Sequence, residues 1–255
     1  MIKLGAYLMT GLLISGVAGA TQIIELNPPL SNTEYYLPDP LPSKDKLVFA
    51  GMVQAHFENA KLCWKQKRVP GSKTMAKIID GCWIAGIRFW PGQVDKPYKL
   101  FALIVSESGG NNVGNPDDPS YGVCHVTYES GRNACDLFGI KAPKNKYDFK
   151  EKLSDDVYFN ILCGAGEAKI AESYTNSDWI RTVLIYKHGV KGFNRALNSL
   201  GNKPITELPV WKHYSKLLYW IQCLKERVEA GSVTNCGCLP GPDEMITYDE
   251  YKKKK

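Results

Sequence analysis

The 255-residue chain lacks a convincing membrane span. Its N-terminal apolar stretch, Leu8 to Val17, is short, is broken by Thr10, Gly11, Ser15 and Gly16, and has no basic stop after it. No cysteine follows that stretch, so a lipid-anchored precursor is not indicated. No basic face is interleaved with aromatics, which sets nucleic acid aside as a partner. There is no convincing internal repeat and no segment with strong strand alternation, so repeat and all-β architectures give way to a mainly α-helical one. The Cys236-Gly237-Cys238 pair has neither a second cysteine pair nor a histidine close by, so no metal site is expected, and no cofactor. With 44% hydrophobic and 23% charged residues there is no room for wholesale disorder; the size suits one sizeable domain or two small ones.

What is present begins with an export signal over residues 1–20. Lys3 supplies the positive start, the apolar stretch follows, and Ala18-Gly19-Ala20 forms a small-residue cleavage site before Thr21. The expected location is therefore periplasmic or secreted. All eight cysteines (63, 82, 124, 135, 163, 223, 236 and 238) lie beyond that point, an even number bound for an oxidising compartment, and disulfides are expected. Cys63 with Cys82, and Cys223 with Cys236 or Cys238, would make short local staples. Other pairings stay open. The formal charge of +6 falls to +5 once Lys3 is removed, and four of those charges are Lys252 to Lys255, so the folded body is nearly neutral. The basic tail suits contact with an anionic envelope polymer or lipid head groups at low salt, and equally suits a solvated chain end.

Residues 21–46 form a leader or linker rich in proline, with Pro28, Pro29, Pro38, Pro40 and Pro42. An N-terminal helical segment, 47–95, comes next. In it Val48, Phe49, Met52, His56, Ala60 and Cys63 recur at helical spacing, and a second helix opens at Ser72, whose hydroxyl can cap free amides. The apolar face of that second helix is Met75, Ile78, Ile79, Cys82, Trp83 and Ile87. Phe89-Trp90-Pro91-Gly92 ends the pair. A run from Tyr98 to Ser106 starts a new element, and a loop rich in Gly, Asn, Asp and Pro follows it. Further helices are expected at Gly131 to Phe138, at about Asp155 to Ser173, and around Ile180, Val183, Leu184 and Tyr186. Gly189 stops this last one before a short helix carrying Phe193, Ala196 and Leu197. The longest helix runs from about Glu207 to Ala230 with Gly231 at its C-terminal cap, and its stripe is Val210, Trp211, Tyr214, Leu217, Leu218, Ile221, Leu224 and Val228.

Glu107 is the residue with the clearest chemical promise. It sits at the end of Phe101-Ala102-Leu103-Ile104-Val105-Ser106-Glu107-Ser108, with Gly109 and Gly110 directly after it. A carboxyl group against apolar surroundings has its charged form disfavoured and can hold a proton to donate to a leaving group. An ordinary helix end in Ser, Glu and Gly is the competing interpretation, and the downstream blocks weigh against it.

Those blocks are Ser120-Tyr121-Gly122-Val123-Cys124-His125-Val126, Asn160-Ile161 with Gly164 one turn on, and Tyr186-Lys187-His188-Gly189. With Glu107-Ser108 before them, they resemble the lysozyme-like lytic transglycosylases of the soluble lytic transglycosylase and goose-type lysozyme superfamily, in order and approximate spacing. The resemblance covers about Tyr98 to Leu200. His125 stands where that family usually has Gln, Cys124 where it often has Met, and Lys187 where it has Asn.

The resemblance implies a lysozyme-like helical catalytic domain over 96–200. The extra N-terminal helices of 47–95 lie outside it, as do, over 201–255, a C-terminal helix expected to pack on the same domain and a basic tail whose cysteines are expected to form disulfides. The resemblance also implies cleavage of the β-1,4 bond between N-acetylmuramic acid and N-acetylglucosamine in peptidoglycan, with a 1,6-anhydro product and Glu107 as general acid and then base. Ser108, Tyr121, Gly122, His125 and Tyr186 would contact or orient the glycan. Hydrolysis on the same fold is the nearest alternative, with Asp117 or Asp118 as the second carboxylate; those two also read as turn residues. A non-catalytic glycan-binding or envelope-assembly protein on the same scaffold is the other. The flanking segments are available as docking surfaces for secretion or assembly machinery.

Overall fold

A computed structural model describes residues 43–62, 68–111 and 119–231. The expected export signal (residues 1–20), nearly all of the expected leader, Cys63, Asp117, Asp118, Cys236, Cys238 and Lys252–Lys255 lie outside the described residues. The described residues all belong to one compact unit, Asn32–Lys255.

Eight helices are found among them: α1 (Lys44–Leu62), α2 (Ser72–Phe89), α3 (Lys96–Ser108), α4 (Tyr128–Phe138), α5 (Lys146–Asp155), α6 (Val157–Glu172), α7 (Trp179–Leu200) and α8 (Pro209–Glu229). A two-stranded antiparallel hairpin, β1 (Ser120–Tyr121) and β2 (Val126–Thr127), separates α3 from α4. The chain is mainly α. None of the described helices is long and apolar enough to cross a membrane.

Helix α6 has no exposed residue and is enclosed by α2, α4, α5 and α7. Its length is apolar or small, from Val157, Phe159 and Ile161 through Gly164, Ala165 and Gly166 to Ala168, which lets neighbouring helices close in on every side. Around this axis α3 packs on α2, and α8 packs on α1 and α3. The N-terminal and C-terminal helical segments therefore meet each other. Trp220 Nε1 of α8 donates to His56 Nδ1 of α1 at 2.9 Å, deep in the core. Burial pushes the His56 imidazole down to about 3, so the ring is neutral and free to accept that bond.

The start of α3 is pinned by a buried charge cluster. Lys96 Nζ pairs with Glu172 at the end of α6, and Glu172 also accepts from Trp90 Nε1 and from Lys169 Nζ at 2.9 Å. The Lys96 ammonium lies 4.9 Å from the Trp90 ring centre and 4.5 Å from that of Trp179. Burial pushes the Glu172 carboxyl up, but donors from Lys96, Trp90 and Lys169 outweigh it and leave the group below its ordinary range. Burial drives Lys96 down against the pull of Glu172.

Several expectations need correction. Helix α2 is capped by Gly71 with no side-chain bond, and Ser72 is already its first residue, so the serine is not the cap. Ile87 is exposed, on the outer side of α2, while Ile78, Ile79, Cys82 and Trp83 are buried. Residues 146–155 form α5, a helix missed in the sequence because only Phe149 and Leu153 of its ten residues are buried. Cys82 is a free thiol buried in the core face of α2, so the Cys63–Cys82 staple is not made. Cys124, Cys135 and Cys163 are also free and buried, the last two as thiols 3.5 Å apart between α4 and α6. The expected stop at Gly189 is a break inside α7, where φ 64° and ψ 167° leave the helical region before the helix resumes.

Candidate active site

Helix α3 runs its buried face, Leu100 to Ile104, into the core and emerges at Glu107. Gly109 then adopts a left-handed conformation and caps the helix with its amide on the Val105 carbonyl. The glutamate side chain is 12% exposed, so it reaches the surface without being a fully solvated charge. Ser108 Oγ bonds to the Val123 carbonyl at 2.7 Å and accepts from the Gly110 amide at 3.1 Å. Its hydroxyl thereby ties the end of α3 to the hairpin turn beside Glu107.

That turn, Gly122 to His125, closes with the His125 amide on the Gly122 carbonyl at 3.2 Å. Asn160 fixes it from inside α6. The Asn160 Oδ1 accepts from the Cys124 amide at 2.8 Å, and its Nδ2 donates to the carbonyls of Tyr121 at 2.8 Å and Leu153 at 3.1 Å. Gly122 is required at this contact for two reasons: its φ is 69°, and a Cβ there would stand 2.3 Å from Asn160 Nδ2. One turn along α6, a Cβ at Gly164 would meet the Cys124 Cβ at 2.7 Å. From the other side Tyr186 Oη donates to the Cys124 carbonyl at 2.6 Å. Burial raises the Tyr186 phenol and the Cys124 thiol well above their ordinary values, with nearby carboxylates adding to it, so both stay neutral.

The turn delivers His125 to Glu107, at φ 49° and with Nδ1 3.9 Å from Oε2. On the other oxygen, Lys187 Nζ stands 3.2 Å from Oε1, within ion-pair range but outside hydrogen-bond geometry. The ammonium also donates to Ser106 Oγ at 3.2 Å. Glu167 of α6 is a second carboxyl in the electrostatic field of Glu107. Burial pushes it up to about 7, with the Glu107 charge adding and a hydrogen bond from Ser130 opposing. Ser130 itself is held by Thr127, the cap of α4, whose Oγ1 lies 3.0 Å from its hydroxyl.

Compared with protein-family models, with curated proteins and with solved structures, the chain finds no match.

Five of the expected site residues, Glu107, Ser108, Gly122, His125 and Tyr186, come together in this way. Tyr121 contributes its carbonyl to the Asn160 clamp, and its half-buried ring faces Lys150 of α5 at 5.7 Å. Asp117 and Asp118 lie outside the described residues. Sequence reasoning missed three participants. Lys187 was visible only as a departure beside Tyr186, Asn160 only as part of a block, and Glu167 had no signal except its place seven residues after Asn160 on the same face of α6. Among the described residues no group of His, Cys, Asp and Glu is placed to hold a metal ion. A cleft of about 580 Å³ between α2, α5 and α6, lined by Lys77, Asp80, Glu151 and Asp155 among others, contains none of the site residues above.

Proposed function

We propose that the protein is an exported peptidoglycan lytic transglycosylase on a lysozyme-like scaffold, with Glu107 as its general acid and then its base. The observation that carries this reading is convergence. Segments around residues 107, 122–125, 160–164 and 186 meet through the Asn160 clamp, the Gly122 and Gly164 close approaches and the Tyr186 bond, and all of them serve one turn beside one half-buried carboxyl group. Buried polar side chains spent on holding a turn against a carboxylate are what a positioned acid needs.

In the reaction, protonated Glu107 gives its proton to the bridging oxygen as the C–O bond breaks and the muramoyl ring gains oxocarbenium character. The N-acetylglucosamine unit leaves with a free 4-hydroxyl. Glu107, now a carboxylate, takes the proton from the muramoyl C6 hydroxyl, whose oxygen bonds to the anomeric carbon and closes the 1,6-anhydro ring. No water is consumed, and the carboxyl group ends protonated again. Tyr186 and Ser108 act through the turn, because the carbonyls of Cys124 and Val123 engage their hydroxyls.

One observation favours hydrolysis as a second reading: Glu167 on α6 is a second carboxyl in the electrostatic field of Glu107, and a hydrolytic site on this fold uses a pair of carboxyl groups. Either reading is tested by Glu107→Gln. The variant should clear a peptidoglycan suspension more slowly than wild type by about 10²- to 10⁴-fold, the usual worth of a positioned acid–base group. Equal clearing by the two proteins rejects the assignment. If neither clears it and both are retained on sacculi, the protein is a glycan-binding one.

A further inference from the structure

Lys187 presents a difficulty whose resolution identifies what the site senses. With the Lys187 ammonium 3.2 Å from Oε1, Glu107 is half of an ion pair, a contact that has to open before its carboxyl group can work on a glycosidic oxygen. The remaining titratable groups near Glu107 do not hold it in this way. Among the described residues, His125 is farther, at 3.9 Å, Glu167 is another acid that burial pushes up to about 7, and burial keeps Tyr186 and Cys124 neutral.

Among the described residues the Lys187 ammonium has one ionic partner, Glu107, and one neutral partner, the Ser106 hydroxyl. Its side chain is 21% exposed, so the head group reaches solvent and any substrate lying over Glu107. An anion on that substrate could take the ammonium in exchange, one carboxylate replacing another, and the cation would stay paired throughout.

Resting on the reading of Glu107 as the acid, we propose that Lys187 is a substrate-sensing residue: a carboxylate on the muramoyl unit draws its ammonium away from Glu107 and leaves the carboxyl group open to the glycosidic oxygen. The enzyme then acts faster on glycan that carries carboxylates, supplied by the lactyl group or the stem peptide, than on neutral glycan of the same backbone. This gives Lys187 a role in selecting substrate and no part in bond making.

The test uses the full chain and three glycans of matched length: peptidoglycan strands with stem peptides, the same strands stripped to free lactyl groups, and an N-acetylglucosamine oligomer with no carboxylate. Wild type should favour the carboxylate-bearing glycans by about tenfold or more in kcat, the value of one lost ionic contact. Lys187→Met should lose most of that preference through a relative gain on the neutral oligomer. Lys187→Gln, which keeps a polar head, should behave alike and covers the case in which the methionine variant does not fold. A preference for both carboxylate-bearing glycans identifies the lactyl group as the trigger, and one for the peptide-bearing strands alone identifies the stem peptide. Equal wild-type rates on all three glycans overturn the inference while leaving Glu107 as the acid, and so does an unchanged preference in the folded variants. Wild type cleaving none of them overturns the Glu107 reading and this inference with it.

Discussion

Asn160 spends its three side-chain hydrogen bonds on backbone, one on the turn that presents His125 to Glu107 and one on Tyr121, the residue directly before that turn. Replacing it by Ala strands the Cys124 amide and two carbonyls in a region where water has little access. A loss of about 2–4 kcal/mol is expected, read as a lower urea midpoint at unchanged slope. Activity at a temperature where the variant remains folded should fall further than that loss explains, because the turn shifts against the carboxyl group. At this scale the sequence is half legible. Gly122 and Asn160 can be singled out from their blocks, but a bond spanning 36 residues leaves no local pattern. The reach of Lys187 to Glu107 is hidden for the same reason. An adjacent tyrosine marks the position, and only the fold, which brings Lys187 of α7 beside Ser106 and Glu107 of α3, shows where the ammonium goes.

Among the elements, α1 and α8 offer the sharpest measurement. The His56 ring takes a proton only near pH 3 in the folded chain, whereas in the unfolded chain it titrates at its ordinary value of 6.5. Between those limits the unfolded state binds the extra proton, so the contribution of this pair is complete above pH 6.5 and drains away as pH falls toward 3. The full loss is on the order of 5 kcal/mol. Thermal melts at pH 7 and pH 4 should therefore differ less for His56→Gln than for wild type; the same difference in both would show that other groups control acid sensitivity. The helical spacing of Phe49, Met52 and His56 was readable, as was most of the α8 stripe. Trp220, the partner of His56, lies between stripe positions and was not assigned to it, although it is fully buried. Helix α5 escaped notice because two buried residues in ten make a thin stripe, and Gly189 was readable because no other residue is as tolerant of the left-handed break it makes in α7.

For the molecule as a whole, the decisive features are those that let the N-terminal and C-terminal helices and the central region share one core. The all-round burial of α6 follows from its composition, Asn160 and the small residues included. The Lys96–Glu172 cluster between two tryptophans does not, since charged residues are ordinarily placed on the surface when a sequence is read. Cysteine count pointed to disulfides, yet four buried cysteines serve as small core residues, a use that counting does not distinguish from cross-linking. The mainly α architecture could be read from periodicity, while the meeting of α1 with α8 depends on contacts between residues far apart in the chain. All of this packing presents Glu107 at one turn, and the most direct measurement concerns its product. Purified sacculi are digested in heavy-oxygen water by wild type and by Glu107→Gln, and the new glycan ends are weighed by mass spectrometry. Unlabelled 1,6-anhydro ends from wild type, and almost none from the variant, are predicted. Labelled reducing ends would assign the protein to hydrolysis instead, and equal product from both proteins would remove Glu107 from the chemistry altogether.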